Sequence, residues 1–107
     1  MTTFDDREDK FEKQFAHDAE LRFKAEARRN KLLGHWAAGL LGKTGEEVEA
    51  YAKEVIKADF EEAGDEDVFR KIRADFDAAG VDQSDHQIRR HMDEMMIEAI
   101  RQIRDGE

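Results

Sequence analysis

Apolar residues return every three to four positions from Leu21 to Ile103, glycines fall between the runs, and no proline interrupts them. That spacing is the helical period, and the absence of proline removes the commonest helix breaker. No alternating strand pattern competes anywhere. The first run (Leu21, Ala25, Leu32, Leu33, Trp36, Ala37, Leu40, Leu41) predicts a helix over 18–41, closed by a turn between Gly42 and Gly45. Thr44 with Glu47 reads as a T-x-x-E capping box for the next helix, whose stripe is Val48, Tyr51, Ala52, Val55, Ile56 and Phe60, up to Gly64. Asp65 caps a third helix carrying Val68, Phe69, Ile72 and Phe76, and Gly80 ends it. Ser84 with Gln87 caps the fourth, striped by Ile88, Met92, Met95, Ala99 and Ile103 and flanked by Met96 and Ile100. Short links and one apolar face per helix predict an all-α, four-helix bundle over 18–107.

The start of the chain is different. Residues 1–31 carry eight acids and eight bases, so the net charge of −9 resides in 32–107. Phe4, Phe11 and Phe15 share one helical face, with almost no other large apolar group before Leu21. Thr3 with Asp6, or Asp5 with Glu8, caps a helix from Phe4 to His17, and nothing breaks it from the following one. Fourteen residues is at the limit for an isolated helix. Three phenylalanines do not return the backbone entropy of ordering that length. Residues 1–17 therefore predict a mobile or marginally helical N-terminal arm that buries its aromatic face in a partner. The competing reading folds the same three rings back onto the bundle.

Composition then closes several routes. A charge of −9 disfavours phosphate neutralisation or anionic lipid, so neither nucleic acid nor direct membrane insertion is expected. No run approaches twenty apolar residues and no signal peptide is evident, so a cytoplasmic chain is expected. With no cysteine there is no disulfide, catalytic thiolate or Cys-ligated metal. The acids from Asp59 to Asp67 lack the EF-hand order and read as solvated residues around a helix junction. His17 with Glu20 and His91 with Glu94 reverse the E-x-x-H order of di-iron bundles, and the companion glutamates are missing. His86 reads as solvent-facing, Trp36 and the methionines as core, and Gly34, Gly39 and Gly42 as close-packing or fraying positions. His17 lies where arm meets bundle, and its protonation below pH ~6.5 could alter that junction. No catalytic residue, metal or cofactor is expected, and the free chain is expected to be a monomer.

The residues also carry a resemblance. Asp5-Asp-Arg-Glu8, Phe11, Phe15-Ala-His-Asp18, Leu21-Arg-Phe-Lys-Ala25, Ala27-Arg-Arg-Asn-Lys-Leu-Leu-Gly34 with Trp36, Tyr51-Ala52, Asp59-Phe-Glu-Glu62 and Gly64-Asp-Glu-Asp-Val-Phe-Arg-Lys71 resemble the zeta subunit, the ATPase inhibitor of the alphaproteobacterial F-type ATP synthase. The likeness covers essentially the whole chain; in the last helix only the apolar pattern matches. It implies a non-enzymatic inhibitor whose arm inserts between an alpha and a beta subunit beside the rotating gamma shaft, blocking rotation in the hydrolysis direction. Such a protein would sit at the inner membrane only peripherally, through the ATP synthase. The resemblance makes Phe4, Phe11 and Phe15 the apolar anchors of the arm. It makes Asp5, Asp6, Arg7, Glu8, Lys10, Glu12 and Lys13 its charged contacts, with His17 at the base and Arg22 and Phe23 at the exit. His35 and Gly39 depart from the pattern, which more usually has an apolar residue and a better helix former there. Two rivals stand beside this reading: a helical adaptor using the Trp36 surface, and a small metal- or nucleotide-binding bundle.

Overall fold

A computed structural model of the chain describes residues 19–60 and 65–106. They form four helices: α1 Ala19–Leu40, α2 Glu46–Ala58, α3 Glu66–Ala79 and α4 Asp85–Arg104. Each helix packs on its sequence neighbours, and α1 also packs on α4, so the four close into a bundle. No strand occurs among the described residues. The expected bundle is present, while the arm of residues 1–17 lies outside the described residues.

The apolar stripes meet in one core of Leu33, Ala37, Val55, Val68, Ile72, Phe76, Ile88 and Met92, each essentially inaccessible to water. Burial of that set is the main force holding the bundle. Gly34 lets α1 and α2 approach most closely, because a Cβ there would stand 2.6 Å from the Ala52 Cα. Trp36 meets Phe76 edge-on with ring centroids 5.5 Å apart, and His91 stacks on the indole at 4.0 Å. His91 is thus a packing residue whose Nδ1 reaches the Gln87 carbonyl at 2.9 Å, and Glu94 pairs with Arg90 instead. α1 runs unbroken through His35 and Gly39, and His35 Nε2 lies 2.9 Å from Glu49 Oε1.

The helix ends follow their local chemistry, with three corrections. Ser84 and Gln87 form the predicted reciprocal capping box. After α3, Gly80 takes φ +72°; its N–H donates to the Asp77 carbonyl and the Val81 N–H to the Phe76 carbonyl, a Schellman motif. Thr44 does not cap α2. The cap position falls on Gly45, whose φ of +59° and ψ of −130° suit only glycine, and no side chain bonds the first turn. Phe60 does not join the α2 stripe either, because α2 ends at Ala58 and the ring is 64% exposed. Asp65 occupies the cap position of α3, but its side chain makes no cap bond and lies 3.7 Å from Arg29.

Candidate functional site at the arm end of the bundle

Of the thirteen residues expected to bind a partner, Arg22 and Phe23 are described. Phe4, Asp5, Asp6, Arg7, Glu8, Lys10, Phe11, Glu12, Lys13, Phe15 and His17 lie outside the described residues. Arg22 is exposed on the first turn of α1. Phe23, one position further, is 54% exposed and meets the Phe60 ring at 5.8 Å between centroids. Two large aromatic rings thus remain on the surface of a highly charged protein, at the end where residues 1–18 join the bundle. Scattered apolar residues are ordinary on a surface, but a contiguous pair beside grooves needs a reason.

Two grooves flank that pair. The larger, about 580 Å³, is lined by Leu21, Phe23, Ala27, Ile56 and Ile103, with Lys24, Arg28 and Lys31 along α1. The smaller, about 140 Å³, runs from Phe23 and Ile56 to Asn30, Asp59 and Phe60. Lys24, Arg28 and Lys31 recur at helical spacing, so the larger groove carries a basic edge on a protein whose residues 32–107 are strongly acidic.

What fixes α1 in this place is a buried charge cluster. Arg29 is 5% exposed; its Nε donates to Asn30 Oδ1 at 3.0 Å, and its guanidinium lies 3.5 Å from Asp59 and 3.7 Å from Asp65. One α1 side chain thereby ties down the end of α2 and the start of α3. A buried arginine demands such partners, since an uncompensated charge in the interior is costly. Arg28 Nη1 donates to Gln102 Oε1 at 2.7 Å and joins α1 to the last turns of α4. Gln102 in turn donates to Glu98 at 3.1 Å, and Arg101 grips the same carboxylate, holding its pKa at about 2. The expectation that the acids from Asp59 to Asp67 are simply solvated fails at two positions. Asp59 faces Arg29, and Asp67, 6% exposed in the first turn of α3, pairs with Arg70. The helix N-terminus favours that carboxylate.

These supports escaped the sequence reading, although a signal for Arg29 existed. It falls four positions after Ala25 and four before Leu33, inside the buried stripe, so its burial follows from spacing alone. Nothing in the sequence announces its partners, because Asp59 and Asp65 reach it only once α2 and α3 pack. A second polar contact lies at the opposite end of the bundle. Tyr51 Oη donates to Asp75 Oδ2 at 2.7 Å, and Lys71 holds that oxygen at 3.1 Å. Burial, then the Asp75 contact, pushes the phenol pKa far above its ordinary value of 10.0. Among the described residues no group of histidines and acids could hold a metal ion, and no helix is long and apolar enough to cross a membrane.

Comparisons with known proteins place this geometry. One protein whose structure was solved in solution by NMR is 49% identical to this chain; the match covers 81% of this chain and 99% of that one, with a TM-score of 0.72. No curated protein matches the chain. The sequence pattern of one family, ATPase inhibitor subunit zeta, matches residues 1–102, which takes in residues 1–17 and nearly all of the bundle. With a match of that extent and a relative of that identity sharing the bundle, the chain belongs to the ATPase inhibitor subunit zeta family.

Proposed function

We propose that this chain inhibits ATP hydrolysis by the F-type ATP synthase, with residues 1–17 as the inserted element and the bundle as the body that presents them. The arm enters an alpha/beta catalytic interface beside the gamma shaft and blocks rotation in the hydrolysis direction. Phe4, Phe11 and Phe15 bury on the partner. Asp5, Asp6, Arg7, Glu8, Lys10, Glu12 and Lys13 pair with charged groups there, His17 lies at the base, and Arg22 and Phe23 sit at the cleft exit. The action is steric, and the chain itself performs no chemistry. The observation that carries the reading is the family match, which begins at residue 1 and so includes the arm. The exposed Phe23 and Phe60 beside the arm junction support it, since apolar surface at that place suits a partner contact.

The test is ATP hydrolysis by the purified cognate catalytic head, titrated with this protein. A saturable loss of hydrolysis is expected. Removal of residues 1–17 abolishes it while the bundle stays helical, and full inhibition by the truncated chain would refute the arm's role. Replacing Phe11 and Phe15 together by Ala weakens inhibition by several kcal/mol, as expected for two buried aromatic anchors at roughly 2 kcal/mol or more each.

A further inference from the structure

The larger groove has a basic edge, an apolar lining and a position that together select one occupant. It is lined by α1 from Leu21 to Lys31, about 15 Å of helix at 1.5 Å per residue, and completed by Ile56 and Ile103. A partner for it must bring apolar side chains and negative charge. Residues 1–18 do both: they carry six acids (Asp5, Asp6, Glu8, Asp9, Glu12, Asp18) against three bases (Arg7, Lys10, Lys13), with Phe4, Phe11 and Phe15 between them. They also join α1 at Ala19, two residues before the groove begins. We propose that the arm docks back into this groove in the free protein, Phe11 or Phe15 entering between Phe23, Ile56 and Ile103 while its acids face Lys31 and compete for Lys24 with Glu20, which lies 3.4 Å from it.

Reach and concentration both favour this. Phe11 precedes Ala19 by eight residues, which extend to about 27 Å at ~3.3–3.6 Å each, enough to reverse direction and reach any point of the groove. Tethering sets an effective concentration in the millimolar range, so a contact too weak to form between separate molecules is populated within one. A second copy of the chain would bring the same segment, but at micromolar concentration it lacks this advantage. The consequence rests on the function proposed above. An arm held on its own body is not available to the ATP synthase, and apparent affinity falls by the fraction that remains free. The groove would then set how fast the inhibitor engages, with ionic strength as its natural control.

The chain has no cysteine, so Thr3→Cys provides a unique site for a nitroxide label. Paramagnetic broadening of backbone amides in the full-length free protein reads the contact without any partner. The expected result is broadening at Ala27, Lys31 and Ile56 well beyond that at Gly80 and Ser84. Phe11→Ala with Phe15→Ala should erase it, and so should Lys24→Glu with Lys31→Glu. Equal broadening at both ends, or broadening indifferent to both pairs of substitutions, overturns the proposal. A mixture of nitroxide-labelled chain and isotope-labelled chain without nitroxide separates self-contact from pairing, and broadening of equal strength in that mixture also overturns it. If the lysine variant releases the arm, it should inhibit hydrolysis with a several-fold faster onset. An unchanged onset in a chain shown to have released its arm would remove the regulatory consequence. Failure of inhibition altogether, with the broadening intact, would count against the proposed function and leave the groove contact standing.

Discussion

The two ends of this bundle are held by different physics. At the end away from the arm, α1 is seated mainly through small and apolar residues, beside the His35–Glu49 contact. Gly34 and Ala37 give close approach, and Trp36 is clamped between Phe76 and His91. At the arm end the same helix is held by Arg29 in a nest of Asn30, Asp59 and Asp65, and by Arg28 on Gln102, while Phe23 and Phe60 stay on the surface. Apolar burial is tolerant of direction and strong in sum. Charge clusters are directional, sensitive to salt and pH, and of smaller net value. The division puts the close-packed contacts of α1 far from Ala19 and its ionic contacts beside it.

The largest expected effect breaks the apolar end. Phe76→Ala removes a ring with no exposure and leaves a cavity against Trp36, at a cost of about 3–5 kcal/mol. Urea unfolding followed by the single tryptophan should show a correspondingly lower midpoint at similar slope. A change under 1 kcal/mol would mean the core is not centred where the burial places it.

Arg29→Met sharpens the contrast. The substitution keeps the stem and removes the charge, leaving Asp59 and Asp65 without their partner. Because Asp65 is about half exposed, water compensates in part, and the cost should be about 1–3 kcal/mol, below that of breaking a fully buried pair. The location of the loss matters more than its size. Amide exchange protection should fall at residues 25–30 well before residues 33–38, with tryptophan emission unchanged. Uniform loss along α1 would show that the two ends unfold as one unit.

Gly34→Ala sets two effects of similar size against each other. Helix propensity alone favours alanine by about 1 kcal/mol. The new Cβ, 2.6 Å from the Ala52 backbone, forces α1 and α2 apart at a cost of about 1–3 kcal/mol. Steric cost should win, giving a net loss near 1 kcal/mol by thermal unfolding; a gain in stability would show that the helices separate freely.

How much of this was legible in the sequence divides along the same line. Helical period placed the core residues Leu33, Val55, Ile72, Phe76, Ile88 and Met92 correctly, because periodicity reports burial directly. The Ser84–Gln87 box and the stop at Gly80 were legible because caps are local. Thr44 misled because a capping motif names residue types, whereas the position of the cap depends on which residue takes the odd dihedral angles, here Gly45. Phe60 misled because its spacing continues the α2 stripe beyond the point where that helix ends. Arg29, His91 and Tyr51 find partners far away in the chain, and no local pattern encodes a contact made only on packing. For the site, the residues pointed to the family, while residues 1–17, where an arm is expected, lie outside the described residues. The groove beside Phe23 emerged only when α1, α2 and α4 came together.

The smallest effect tests whether the apolar end also depends on a polar contact. Tyr51 donates to Asp75 from a position 3% exposed, and its pKa is raised by burial first and by that carboxylate second. The sign follows from linkage: a group that holds its proton more tightly when folded contributes stability fully below its unfolded pKa, and loses it as pH rises towards the folded value. Below pH 10 the phenol is neutral in both states. Above it the unfolded chain sheds the proton while the folded chain keeps it, so stability should fall by up to about 1.4 kcal/mol per pH unit through this group. Tyr51→Phe at neutral pH should cost about 1 kcal/mol, since Asp75 keeps Lys71 at 3.1 Å and is not stranded. Other groups that titrate in this range do so in both chains, so the difference between their stability curves isolates Tyr51. That difference should shrink between pH 10 and 11; if the curves stay parallel, the phenol is more open to water than its burial implies.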